Sequence, residues 1–252
     1  MIRKIEKLFF LFIGLFKDHS FLKIEQKKNF NKYNLDYDQA EKLINNIKIK
    51  AIDKNYNMSS EHLKLFAGLS LNFSFSKILE IGTYNGINAL ILTSLFPNAD
   101  IDTIDLDDED QNFFSLYNRK NLKDKNEFIK KRDLNISKSN KINFRKMNSI
   151  NLINDDQKKY DLIWIDGFHG NPTVTIDIIN SIKLIKDDGF IICDDVYLFG
   201  DSYNPYVSDA TFKTLEELKK NKIIKYDLFL KRIDKNSNIF PKEKKYIAII
   251  KK

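Results

Sequence analysis

The sequence predicts an α/β protein: a doubly wound, mostly parallel seven-stranded sheet with a C-terminal antiparallel hairpin and N-terminal helices. Three observations carry that prediction. Strand-like apolar runs alternate with helical patterns from residue 77 onward. The first run breaks into a helix through a glycine-bearing turn, Glu80-x-Gly82-x-x-x-Gly86. The last two strand-like runs, 223–230 and 245–250, have no helix between them, so they are expected to pair antiparallel.

Residues 1–76 read as helical, most clearly over 37–52 and 59–70, where Ser59 and Ser60 ahead of Glu61 and Leu63 mark a helix start. We expect them to form an N-terminal extension to a main domain spanning 77–252. Strand 77–82, helix 86–96, strands 100–105, 142–147 and 160–166, helix 172–186 and strand 189–194 follow in order. Pro97-Asn98 separates the first of these helices from the second strand. Asp187-Asp188-Gly189 reads as a helix C-cap turning into the next strand. Residues 108–140, with few apolar anchors and many Lys and Asn, read as an insertion holding one or two surface helices or a loop. A helix near 210–221 precedes the hairpin, whose connection, 231–244, is polar.

A chain of 252 residues suits one α/β domain with additions. Its single cysteine, Cys193, excludes a disulfide framework and a cysteine-rich zinc site, and fits a reducing cytoplasm. The net charge of +7 conceals a segregation. Residues 77–110 and 161–210 carry eight and nine acids against one and two lysines, whereas 111–160 and 211–252 each carry thirteen Lys/Arg against five acids. The acidic segments hold the candidate site motifs, so the basic ones read as a peripheral, solvated rim. At the N-terminus, Arg3, Lys4 and Lys7 precede an apolar run over 8–16 that is too short to span a bilayer and lacks a small-residue cleavage site. Residues 1–16 are expected to pack as a helix on a partner, including a second copy of the chain, or to lie at a membrane interface.

In a doubly wound sheet, ligands sit outside the carboxyl ends of the strands. Gly82 and Gly86, with Thr83 and Tyr84 between them, supply the turn after strand one, where a cofactor approaches bare backbone. Asp105 closes strand two, nineteen positions after Gly86, where such folds place a carboxylate on ribose hydroxyls; Asp107 and Asp108 are alternatives. Asp166 ends strand four, and Asp194-Asp195 ends strand five. Three neighbouring carboxylates repel one another unless a cation sits among them, and hard oxygen ligands suit Mg²⁺ or Ca²⁺. His169 lies on the loop leaving strand four, where an imidazole would accept a hydroxyl proton. Residues 197–210, rich in aromatics and glycine, suit a lid; His19 and His62 read as structural.

Glu80-x-Gly82-x-x-x-Gly86 resembles motif I of the class I S-adenosylmethionine (SAM) methyltransferases, whose layout is five β-α units and a terminal hairpin. Together with Asp166-Gly-x-His169 and Asp194-Asp195, it is similar to the metal-dependent O-methyltransferases of the macrocin/novobiocin sugar-modifying type, and more distantly to catechol-type O-methyltransferases. The resemblance covers about residues 75–200. It implies SAM along Glu80, Gly82, Thr83, Tyr84 and Gly86, with Asp105 on the ribose, Asn148 and Ser149 near the adenine, and Asp166 beside the cofactor. It further implies Asp166, Asp194 and Asp195 as Mg²⁺ ligands, His169 as base, and a sugar or glycan hydroxyl as acceptor, in a cytoplasmic enzyme.

Competing readings are weaker. A nucleic-acid or protein N-methyltransferase would carry Asn/Asp-Pro-Pro-aromatic after strand four, where this chain has Asp166-Gly-Phe-His169. The glycine spacing disfavours a nicotinamide enzyme. A non-catalytic SAM-binding subunit would lack the metal site or the base, and this chain carries candidates for both.

Overall fold

A computed structural model describes residues 20–47, 60–115, 121–155, 159–201, 207–234 and 244–252. Helices α1 (Ser20–Asn31), α2 (Tyr37–Asn46) and α3 (Glu61–Asn72) precede a sheet built from β1 (Lys77–Ile81), β2 (Asp100–Asp105), β3 (Ile142–Lys146), β4 (Tyr160–Ile165), β5 (Ile185–Val196), β6 (Lys225–Leu230) and β7 (Tyr246–Lys251). The connections hold α4 (Ile87–Leu95), α5 (Gln111–Ser115), α6 (Leu122–Ile136), α7 (Leu152–Asp155), α8 (Thr173–Leu184) and α9 (Ala210–Lys220). Strand order is β3-β2-β1-β4-β5-β7-β6. β1 to β5 pair in parallel, and β7 lies antiparallel between β5 and β6. The expected doubly wound sheet with its terminal hairpin is therefore present. The order turns back on itself at β1, which has β2 on one side and β4 on the other.

Alternation along the strands splits the core into two layers. Ile78, Leu162, Trp164, Phe190 and Ile192 face α1 to α4, packing with Phe30, Tyr37, Leu63, Phe66 and Ile91. Their neighbours Leu79, Ile163, Ile165, Ile191 and Cys193 face the other way, against Val174 and Ile178 of α8 and Leu215 of α9. The N-terminal helices thus share one apolar core with the sheet. Glu61, fully buried at the start of α3, is held by Gln26, Tyr37 and Lys64 at 3.2, 3.2 and 2.8 Å. Ser60 begins α3 as expected, yet its hydroxyl pairs with His62 Nδ1 at 2.6 Å instead of capping the helix.

Two segments differ from expectation. Asp187-Asp188-Gly189 is not a helix C-cap: Ile185 ends α8, and β5 runs from there through a bulge at which the register jumps from Tyr160↔Ile185 to Leu162↔Phe190. Gly189 is required by close packing, since a Cβ there would lie 2.7 Å from Ile185 and 2.9 Å from the Asp161 carbonyl. The segment read as an insertion supplies α6, the crossover that parallel β2 and β3 demand. Its scarcity of apolar residues is explained by a buried ion pair. Arg132 is fully buried, bonds Asp108 at 2.6 and 3.1 Å and lies 4.5 Å over the Phe144 ring, while Lys146 reaches the same carboxylate at 2.5 Å. The apolar run within residues 1–16 and the tail of the helix expected over 37–52 lie outside the described residues. Among those described, no helix is long and apolar enough to cross a membrane.

Candidate functional site

β1 ends in the tightest turn of the site. Gly82 has φ 103°, and a Cβ there would lie 2.3 Å from the carbonyl oxygen of Asp166, so only glycine fits. Gly86, at φ 73°, opens α4 beneath α6, where a Cβ would meet Ile136 at 3.0 Å and the Arg132 carbonyl at 3.3 Å. Asn135 of α6 secures the same turn by donating to the Asn85 carbonyl at 2.9 Å. Tyr84, also at positive φ, is half-exposed and donates its backbone N–H to Asp105 Oδ2 at 2.9 Å. Asp105 accepts as well from Leu106 N at 2.8 Å. A carboxylate has about four acceptor positions, so one fixed by backbone donors can still bind ribose hydroxyls. The alternatives at 107 and 108 fit less well: Asp107 turns to the Glu109 amide, and Asp108 is committed to Arg132 and Lys146.

Glu80 and Thr83 are buried. Glu80 is 1% exposed, with its oxygens accepting from Asn88 at 2.7 Å and Thr103 at 2.5 Å. Burial pushes its pKa up to about 8 against the pull of those two donors. Thr83, 2% exposed, pairs with Thr103 at 2.7 Å. Both support the turn from below. At the end of β3, Asn148 Oδ1 caps a short 3₁₀ turn through Ile150 N at 3.0 Å, and the Ser149 carbonyl accepts from Asn180 at 3.2 Å.

The second half of the site lies at the carboxyl ends of β4 and β5. Asp166 leaves β4 with its amide bonded to the Ile81 carbonyl at 2.8 Å, and His169 Nε2 lies 3.5 Å from Asp166 Oδ1. Burial and the Asp194 charge raise the Asp166 pKa. Burial alone would depress His169, but Asp166, Asp195 and Asp194 outweigh it and raise its pKa. Beneath this loop Asp177 of α8 is 1% exposed, and burial raises its pKa to about 6.

The expected metal cage is not what surrounds Asp194 and Asp195. Lys231 Nζ sits between them, 2.5 Å from Asp194 Oδ2 and hydrogen-bonded to Asp195 Oδ1. Lys245 bonds the other oxygen, Asp195 Oδ2, at 2.6 Å. Asp195, at φ 47°, is held far below the usual carboxylate range by these two ammonium groups, which overcome its burial. Among the described residues no group of three or more Asp, Glu, His or Cys side chains is gathered to hold a metal. A dication would have to share this space with two ammonium groups, so the donor set of Asp166, Asp194 and Asp195 does not fit Mg²⁺ as arranged.

Topology explains how a segment read as a basic rim supplies these lysines. Because β7 runs antiparallel to β5 and β6, the connected end of the β6–β7 hairpin lies at the carboxyl edge of β5, with Val196 opposite Tyr246 and Leu230 opposite Tyr246. Lys231 and Lys245 begin and end that connection, their backbones joined by a 3.0 Å hydrogen bond. No local signal marks them. His62, read as structural, is stacked on Trp164 at 5.1 Å, and burial lowers its pKa to about 4. The proposed lid falls partly at 202–206, outside the described residues; its ends meet through Asp201 N and the Val207 carbonyl at 2.9 Å. A separate hollow, lined by residues 70–75 and 95–98, opens at the amino ends of β1 and β2, away from this edge.

Residues 79–196 match a family model described as a methyltransferase domain. No curated protein matches the chain. Among solved structures, it is similar to an O-methyltransferase from Streptomyces achromogenes involved in tomaymycin synthesis, in complex with SAM (14% identity, TM-score 0.55, covering 89% of this chain and 94% of that one). It is also similar to a protein from Staphylococcus aureus assigned as a caffeoyl-CoA O-methyltransferase (16%, 0.53, 89% and 96%). A Bacillus cereus O-methyltransferase in complex with S-adenosylhomocysteine (SAH) is similar at 16% identity and TM-score 0.50, covering 93% and 100%. Residues 79–196 thus match a methyltransferase domain, and the fold is one shared with O-methyltransferases.

Proposed function

We propose that this protein is a cytoplasmic enzyme that transfers the methyl group of SAM to a hydroxyl of a sugar or glycan. The observation that supports this most is the pairing of the glycine turn with the β4 loop: Gly82 lies against the Asp166 carbonyl, and Asp166 is 3.5 Å from His169. A cofactor seated on the turn is thereby next to a base. Asp166 favours the His169 tautomer that carries hydrogen on Nε2, leaving Nδ1 to take the proton of the acceptor hydroxyl. The sulfonium needs little activation, so alignment of the acceptor oxygen with the methyl carbon supplies much of the remaining rate.

The sugar acceptor rests on the resemblance of Asp166-Gly-x-His169 to sugar-modifying O-methyltransferases. A phenolic acceptor is the second reading, favoured by the fold likeness to a protein assigned as a caffeoyl-CoA O-methyltransferase. The test is calorimetric titration with SAH, followed by transfer of labelled methyl from SAM to panels of glycosides and of catechols. Micromolar SAH binding and labelling of glycosides are expected. Labelling of catechols alone would move the acceptor to the phenol class, and absence of SAH binding would refute methyl transfer.

A further inference from the structure

Lys231 is unusually well fixed for a lysine. Its side chain is 12% exposed. Its backbone carbonyl accepts from Glu61 N at 3.0 Å and its amide donates to the Lys245 carbonyl at 3.0 Å. The preceding residue, Leu230, is bonded on both backbone groups by buried Gln26, each at 3.0 Å. Helices α1 and α3 and the β6–β7 hairpin therefore converge to place one ammonium between Asp194 and Asp195. An ammonium has three N–H donors. Two are taken by those carboxylates, and among the described residues the third has no acceptor. Lys245 completes the balance by neutralising Asp195 from its other side.

We propose that Lys231 serves as the resident cation of this site, donating its remaining N–H to the acceptor oxygen, so that methyl transfer needs no divalent metal. This rests on the O-methyltransferase reading given above. An ammonium at that place does by charge and hydrogen bonding what a metal would do by coordination: it fixes the acceptor oxygen and favours negative charge developing on it. In the step itself, an oxygen lone pair forms the O–CH₃ bond while the C–S bond breaks. The bonding pair stays on sulfur, giving neutral SAH, and the hydroxyl proton passes to His169. Lys231 keeps its protons throughout. Together with Lys245 its charge matches the two carboxylates beneath it, so the site is pre-formed before substrate arrives. The N-terminal helices acquire a role in the same arrangement, since Gln26 and the Glu61 amide hold the strand end from which Lys231 projects.

The experiment measures Mn²⁺ binding by electron paramagnetic resonance, and SAH binding by calorimetry, on the full chain and on Lys231→Ala. The wild type is expected to bind SAH equally with and without EDTA and to show no saturable Mn²⁺ site into the millimolar range. Lys231→Ala is expected to keep SAH affinity within about threefold and to gain one Mn²⁺ site, because three carboxylates are then left short of a cation. A wild-type Mn²⁺ site of micromolar affinity that disappears in Asp194→Asn would overturn the proposal. So would a Lys231→Ala variant that folds, binds SAH and gains no metal. Lys231→Met, which keeps the apolar stem, serves the same comparison if the alanine variant does not fold. Failure of SAH binding would strike the methyltransferase reading alone, since the Mn²⁺ arms report on the lysine seat independently.

Discussion

A Cβ added to Gly82 would lie 2.3 Å from the Asp166 carbonyl oxygen, so the cofactor turn after β1 and the acid–base loop after β4 are packed against each other without room for one methyl group. The contact is backbone to backbone and follows from the parallel pairing of β1 with β4, which sets Ile81 opposite Ile165. What happens at either loop is transmitted to the other.

Gly82→Ala is therefore expected to cost on the order of 3 kcal/mol, combining positive φ for a non-glycine with overlap against backbone that cannot rotate away. The turn can escape only by displacing Asp166 and with it His169. Thermal melting and SAH titration check this: lowered melting temperature together with at least about tenfold weaker SAH binding is expected. Unchanged values for both would mean the two loops are not coupled.

Glu80 gives a pH signature. Its folded pKa is about 8 against an ordinary 4.5, chiefly through burial, so the folded state holds a proton there that the unfolded state releases. Between pH 4.5 and 8 this group makes stability fall as pH rises, because the native state binds more protons than the unfolded one. Glu80→Gln removes that fall. Gln can accept from Asn88 and donate to Thr103 while Thr103 donates to Thr83, so the hydrogen bonds survive. Melts at pH 5 and pH 8 are expected to show the variant gaining on the wild type by a few degrees at the higher pH; a constant difference would show that Glu80 is ionised in the folded protein.

Asp108→Ala leaves fully buried Arg132 without its two-oxygen partner, a loss of about 3 kcal/mol. The consequence reaches the cofactor turn, since α6 also carries the Asn135 bond to Asn85 and the Ile136 contact beneath Gly86. Denaturant unfolding and SAH titration should both deteriorate. Stability lost with SAH affinity intact would confine the ion pair to folding.

His169→Gln is expected to lower kcat by about 10²–10⁴ while leaving SAH affinity unchanged, since the imidazole acts on the acceptor proton and not on the cofactor. Steady-state kinetics on whichever acceptor is labelled decides this. An undiminished kcat would remove His169 as the base.

The sequence by itself determined the sheet, the turn and the residues that gather at its edge. Strand-length apolar runs, the pair Gly82 and Gly86, and carboxylates at the ends of β2, β4 and β5 are local signals, because each depends on neighbours within a few residues. The roles within that edge were legible only in part. Glu80 and Thr83 belong to the motif, yet the hydrogen bonds from Asn88 and Thr103 turn them inward. The segment holding α6 looked peripheral because its core residue is an arginine, whose burial depends on Asp108 and the Phe144 ring from outside the helix. Above all, Asp166, Asp194 and Asp195 read as a metal site because three neighbouring acids need a counter-charge, and sequence names the need without naming its source. The tertiary structure supplies that charge from Lys231 and Lys245, thirty-six and fifty residues beyond Asp195 in the chain, brought to the same edge by an antiparallel hairpin. Local chemistry fixes which groups require a partner; only the path of the distant chain decides what that partner is.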